Sequence, residues 1–363
     1  MTKKTFTSLC AATGLAVVLA VVAMLGQPRF EATDSQGESL LPTLVQDSER
    51  LKTIVIHQYG ETLSLDWDGK NWRARERNNF IADKEKVSNL LVALARMTKI
   101  EGKTKMPDRY ARLEVEDPTS ETARGRRITL IDNAGKEIAD IVLGKRQYNM
   151  GSQGNNTYVR MSGDPQVWLA AGEIEDSQTG VTDWLSKEII NINATVIKSV
   201  TVTHPNGEKV VVVREMPEAP GLTIRNLSSS AQEANQSAAD EYARILVDMN
   251  LEEVGSAEAK PFPKEGTIHA KIEGLVGFQV DIELAQIDGL DWIKIKGTPP
   301  PTGAGATDRM VDLGTDWARI MADLNVRAND WVFQVPAYQV APLKNRMTDF
   351  LNRASAAKSA SSG

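Results

Sequence analysis

In 363 residues, 42 Lys and Arg stand against 48 Asp and Glu, a net charge of −6, and 41% of the chain is apolar; this is a globular composition, with more residues than one core usually organises. Leu41 to Ile192 carries 22 basic against 23 acidic residues and Asn193 to Gly363 carries 17 against 22, so neither half has the basic surplus of a nucleic-acid binder, and no nucleic acid is expected as a partner. The only cysteine, Cys10, leaves the rest of the chain without a disulfide or a thiolate metal site, and stability must come from packing.

Ser8 to Gly26 runs without a charge. A helix of that length spans roughly 28 Å at 1.5 Å per residue, close to the ~30 Å of a bilayer core. Lys3 and Lys4 precede it, and Arg29, Glu31, Asp34 and Glu38 follow. The positive excess on the N-terminal side keeps that end cytoplasmic and delivers the remainder outside. Residues 1–27 are therefore expected to form one transmembrane anchor, and the polar, turn-rich residues 28–47 a tether. The competing reading is a cleaved signal peptide, with a small-x-small site at Val21-Val22-Ala23.

Residues 48–192 read as a first α+β module. Ile54 and Ile56 alternate within Thr53 to His57; Leu63 and Leu65 alternate before an Asp68-Gly69 turn, and Trp72 opens the return strand, a β-meander with one buried face. Asp83 is placed as the N-cap of a helix striped by Val87, Leu90, Leu91, Leu94 and Met97. Hairpins follow at Arg127 to Leu130 with Glu137 to Leu143, and at Tyr158 to Met161 with Val167 to Leu169, joined by Gly151-Ser152-Gln153-Gly154. Asp183-Trp184-Leu185, Ile189, Ile190 and Ile192 close the module as a short amphipathic helix or turn.

Residues 193–352 repeat the pattern. Ile197 to Thr203, a Pro205-Asn206-Gly207-Glu208 turn and Lys209 to Arg214 restate the first strand pair. Tyr242, Ile245, Leu246 and Met249 restate the helical stripe, and Asp330-Trp331 stands 147 residues after Asp183-Trp184. Three elements in one order at one spacing argue for a duplicated module. The second copy is expected to carry a polar insertion at Ser228 to Ser237 before its helix. Its later strands are placed at Thr267 to Ile272, Phe278 to Leu284 and Trp292 to Ile295, followed by a mobile loop over Lys296 to Ala306. A further helix is capped by Thr315 and striped by Trp317, Ile320, Met321 and Leu324. Residues 353–363, rich in alanine and serine, predict a disordered tail.

Catalytic signatures are absent: there is no GxxxxGK[ST], HExxH, GxSxG or post-strand GxGxxG, and His57, His204 and His269 stand alone. No enzymatic activity, catalytic residue, cofactor or metal is expected. Asp66 and Asp68 read as turn chemistry, and Glu252-Glu253 and Asp288/Asp291 as solvated acids. Arg73, Arg75 and Arg77 alternate, which on a strand projects all three from one face. They are the candidate partner-binding residues, for an acidic protein surface, an anionic glycan or lipid headgroups.

Trp67-Asp68-Gly69-Lys70-Asn71-Trp72, the helix after Ala82-Asp83, Ile141-Val142-Leu143-Gly144-Lys145, Tyr158-Val159-Arg160, Asp183-Trp184-Leu185 and the terminal Trp331-Val332-Phe333-Gln334-Val335-Pro336-Ala337-Tyr338 resemble a bacterial family defined only as a domain of unknown function, number 4340. The resemblance implies a single-pass protein of the bacterial inner membrane whose bulk is periplasmic. It further implies an auxiliary component of gliding-motility-type ABC transport systems, with the permease, the ATPase and a second membrane-anchored auxiliary subunit as partners. The expected role is a non-enzymatic protein-binding scaffold. The alternative is a periplasmic binding module for an envelope lipid, glycan or peptidoglycan fragment, held in a groove.

Overall fold

The computed structural model describes residues 37–361, apart from 59, 120, 149–154, 173, 175–180, 264 and 302–314. The apolar stretch Ser8 to Gly26, residues 28–36 of the tether and the link Gly151 to Gly154 lie outside the described residues. Among those described, no helix is long and apolar enough to cross a membrane. The fold is α+β, with large antiparallel sheets and several helices.

The first part of the chain runs β1 (Leu51–Gln58), β2 (Glu61–Trp67), β3 (Trp72–Ala74), β4 (Phe80–Ile81), helix α1 (Lys84–Arg96), β5 (Thr98–Thr104), β6 (Arg126–Asp132), β7 (Glu137–Gln147), β8 (Asn156–Met161) and β9 (Val167–Ala171). Then come β10 (Glu188–Ile190), β11 (Ile197–Thr203), β12 (Lys209–Val213), β13 (Thr223–Ile224), α2 (Ser229–Ala243), β14 (Met249–Asn250), β15 (Glu253–Ser256), β16 (Ile268–Gly274), β17 (Gln279–Ile287), β18 (Leu290–Thr298), α3 (Trp317–Ala328), β19 (Trp331–Gln334), α4 (Ala337–Lys344) and α5 (Met347–Ser361). The chain divides into two compact units, and the division does not follow its midpoint: Leu63–Val87 groups with Gln178–Gly363, and the remainder up to Ser177 forms the first unit.

In the first unit the strands are ordered β1-β6-β7-β8-β9-β5, every neighbouring pair antiparallel. Period-2 alternation puts Ile54, Ile56, Ile128 and Leu130 inside. From α1, Leu90 and Leu94 are buried and Leu91 is half-buried, and Met97 just past its end is buried as well; each fully buried side chain contributes about 1.5–3 kcal/mol by leaving water. Asp83 caps that helix as the sequence predicts, its Oδ1 accepting the N–H groups of Glu85 and Lys86 at 2.9 and 3.1 Å. Strand β5 has no sequence signal because Thr-Lys-Ile-Glu-Gly-Lys-Thr does not alternate. It lies at the sheet edge, where its charges are paired as Lys99–Glu38 and Lys103–Glu101. The loop before β6 is pinned by Arg160, buried in β8: its Nε donates to the Val115 carbonyl at 3.0 Å and its guanidinium lies 4.9 Å from the centre of the Tyr110 ring.

The second unit holds the meander β2-β3-β4, a two-stranded β10-β14 ladder and an eight-stranded antiparallel sheet ordered β13-β12-β11-β16-β17-β18-β19-β15. Several expectations are corrected here. Ser228 to Ser237 is not an insertion but the body of α2; Ile245 and Leu246 follow that helix in a turn, and Met249 belongs to β14. The α2 face carrying Gln232, Gln236 and Asp240 lines the edge strand. Gln232 Oε1 accepts the Ile224 N–H at 3.1 Å while its Nε2 donates to the Ile224 carbonyl; Gln236 Nε2 donates to the Leu222 carbonyl at 3.0 Å, and Asp240 Oδ1 accepts the Leu222 N–H at 3.1 Å. Side-chain amides thus occupy the edge that a neighbouring strand would take.

Helix α3 is capped by Asp316, whose side chain accepts the Arg319 N–H, and not by Thr315. It packs on β18 at Gly297, where an added Cβ would meet Met321 Sδ at 2.8 Å. The β18 strand continues to Thr298, into the stretch expected as a loop, the remainder of which lies largely outside the described residues. Asp183-Trp184 ends a 3-10 turn before β10 whereas Asp330-Trp331 opens β19, so the two pairs occupy different kinds of place. Helix α5 runs to Ser361 through the alanine-rich segment expected to be disordered, anchored by buried Phe350, whose carbonyl accepts from Asn235 Nδ2 at 2.9 Å.

Candidate functional site

Strand β3 ends at Ala74, and Arg75–Arg77 form a 3-10 turn followed by Asn78 in the left-handed region (φ 54°). The three arginines therefore do not share one strand face. Each meets a carboxylate of the same unit: Arg73 Nε donates to Asp68 Oδ2 at 2.6 Å, Arg75 binds Asp66 through two 2.8 Å bonds, and Arg77 Nε donates to Glu253 Oε1 at 2.9 Å.

Asp68 also builds the turn between β2 and β3, its Oδ1 accepting the N–H groups of Lys70 and Asn71 at 2.8 and 2.7 Å. The Asn71 N–H, the Arg73 guanidinium and the Lys70 N–H hold its carboxyl down at about 2. Such a group stays ionised and serves as a fixed acceptor, with no proton to exchange near neutral pH. Arg77 and Phe80 carry the meander onto the β19-β15 end of the eight-stranded sheet: Phe80, buried, sits edge-on to Trp331 (centroids 5.1 Å, 80°) and to Phe333 (6.0 Å, 69°). Glu253 is therefore a structural acid, where a solvated one is expected from sequence. The same holds for Asp291, which is buried and accepts Lys344 Nζ at 2.6 and 2.7 Å.

His57 Nε2 lies 2.8 Å from Thr62 Oγ1, buried His204 Nε2 lies 3.0 Å from the Asn345 carbonyl, and His269 is exposed on β16. The structure brings none of them together. Among the described residues no group of three His, Cys, Asp or Glu side chains is placed to hold a metal ion.

What the structure assembles unannounced is a cleft of about 250 Å³ in the second unit, at the edge of β18 where its ladder with β19 has ended at Ile293↔Phe333. Trp331 and Ile295 supply apolar walls; Asp281 and Glu283 of β17 and Lys294 and Lys296 of β18 supply charge. Asn325, also in the wall, braces the strand by exchanging two 2.8 Å bonds with the backbone of Gly297. Alternating charges on β17 and β18 are visible in the sequence as a solvated face, but nothing local predicts that Trp331 closes one side.

A family model described as "Domain of unknown function (DUF4340)" matches residues 72–266, more than half of the chain. The chain belongs to the DUF4340 family. Comparisons with curated proteins and with solved structures gave no match. The DUF4340 match opens on Trp72, takes in Arg73, Arg75, Arg77 and Phe80, and ends before β16. Of the residues lining the cleft, only Ala257 falls inside the DUF4340 match.

Proposed function

We propose that this DUF4340 protein is a non-enzymatic, membrane-anchored periplasmic auxiliary subunit of an ABC-type transport system, a scaffold whose folded part binds a partner subunit of an assembly that also includes the permease, the ATPase and a second anchored subunit. The observation that carries the reading is the uncharged run Ser8 to Gly26, with Lys3 and Lys4 before it and Arg29 among the acids Glu31, Asp34 and Glu38 after it. A duplicated module agrees with it. The orders β1-β6-β7-β8-β9-β5 and β11-β16-β17-β18-β19-β15 are the same, each with a long helix ahead of the strand that ends the series. Two related frameworks on one anchor provide extended surface without requiring a reactive centre. Capture of the tagged full chain from membranes in mild detergent, followed by mass spectrometry, tests the proposal: permease, ATPase and a second anchored subunit are expected, and recovery of none of them overturns it.

The second reading, a binding module for an envelope ligand, is favoured by the cleft beside Trp331, which joins apolar walls to a few converging polar groups.

A further inference from the structure

We infer that the cleft at the β18 edge binds a small zwitterion of amino-acid or dipeptide size; the inference rests on the ligand-binding reading and names its ligand class. The ladder sets Asp281 opposite Lys296 and Glu283 opposite Lys294, neighbours whose Cβ atoms stand about 5 Å apart in any antiparallel pair. No ion pair joins either couple. Asp281 is engaged by Gln279 Nε2 at 2.7 and 2.8 Å, and Lys294 lies over the Phe262 ring at 5.2 Å. Among the described residues, neither the Glu283 nor the Lys296 side chain is engaged in a hydrogen bond or an ion pair, their backbones being taken up by the ladder.

One carboxylate and one ammonium, both uncommitted and facing the same small volume, are matched by a ligand that brings one of each. Its carboxylate meets Lys296 and its ammonium meets Glu283. The ligand's side chain rests against Trp331, whose ring is held in place by the edge contact with Phe80. A neutral sugar uses the tryptophan and leaves both charges unanswered; an anionic headgroup answers Lys296 and is repelled by Glu283. The volume of about 250 Å³ is below the roughly 300–1,000 Å³ of pockets for drug-sized molecules, which limits the occupant to one or two residues.

Calorimetric titration of the full chain held in neutral-lipid nanodiscs free of detergent tests this with alanyl-alanine, its N-acetyl form, its C-terminal amide, N-acetylglucosamine and phosphatidylglycerol vesicles. The dipeptide is expected to saturate, and each capped form to bind about tenfold more weakly. Glu283→Ala should abolish discrimination against the acetylated form, and Lys296→Ala discrimination against the amide. Both side chains lie on a solvated face, so circular dichroism should be unchanged in the variants. Equal affinity for capped and uncapped dipeptides, or variants that bind like the parent, overturns the inference. Saturation by the sugar or the vesicles alone overturns the zwitterion while leaving the ligand-module reading standing; no saturation by any probe overturns both.

Discussion

Arg77 Nε donates to Glu253 Oε1 at 2.9 Å, joining residues 176 positions apart, and the two side chains retain 27% and 30% of their exposure. Beside this pair, buried Phe80 meets Trp331 and Phe333. A partly solvated ion pair is worth about 0.2–1 kcal/mol, whereas truncating a buried phenylalanine costs about 3–5 kcal/mol. Urea denaturation should therefore show a small Arg77→Ala/Glu253→Ala coupling and a several-fold larger loss for Phe80→Ala. A coupling that exceeded the Phe80→Ala loss would mean that charge, and not ring packing, holds the meander.

The edge strand β13 gives a second expectation. Replacing Gln232 and Gln236 together by alanine removes bonds to Ile224 and Leu222, each worth about 0.5–1.5 kcal/mol, and uncovers strand edge. Stability should fall by about 1.5–4.5 kcal/mol, and sedimentation velocity should show self-association that grows with concentration. A variant that is destabilised yet stays monomeric would show that the glutamines serve only as bonds.

Close packing at two glycines should rank in a defined order. A Cβ at Gly144 would sit 2.8 Å from the Glu114 carbonyl oxygen and closer still to that of Leu113, both backbone atoms, whereas at Gly297 it meets the flexible thioether of Met321. Overpacking costs about 1–3 kcal/mol; Gly144→Ala belongs at or above the upper end and Gly297→Ala near the lower. Thermal unfolding of the two variants checks the order, and the reverse ranking would contradict it.

Acid stability should depend on Asp68. Its carboxyl titrates near 2 when folded, against an ordinary 3.8, so the unfolded chain binds the proton more readily and stability falls as pH drops through that window. The gap in urea midpoint between the parent and Asp68→Asn should be fully open above pH 4 and narrow toward pH 2. A gap independent of pH would show that shape, not charge, is what the turn requires.

Much of this architecture is legible in local pattern. Ile54 and Ile56 in β1, and Val280, Ile282 and Leu284 in β17, alternate as half-buried strands must; Asp83 with Val87, Leu90 and Leu94 announces α1. Helix α2 escapes because its buried residues are Ala231, Asn235, Ala239, Tyr242 and Ala243, mostly small, and because its glutamines face a strand edge that periodicity cannot distinguish from solvent. The arginines mislead for a related reason. Spacing places Arg73, Arg75 and Arg77 on one side only if the strand continues, and the chain turns at Ala74. Trp331 beside Glu283 and Lys296 depends on where β19 stops pairing, which no local signal encodes.

The grouping of Leu63–Val87 with the C-terminal part of the chain also sets a timetable for assembly. Because synthesis proceeds from the N-terminus, Phe80 is made long before the rings that cover it. During that interval a sticky ribbon is left uncovered, and any nascent product halted short of Trp331 keeps it so; such fragments are natural clients for holdase chaperones and proteases, and only the finished chain can hide it.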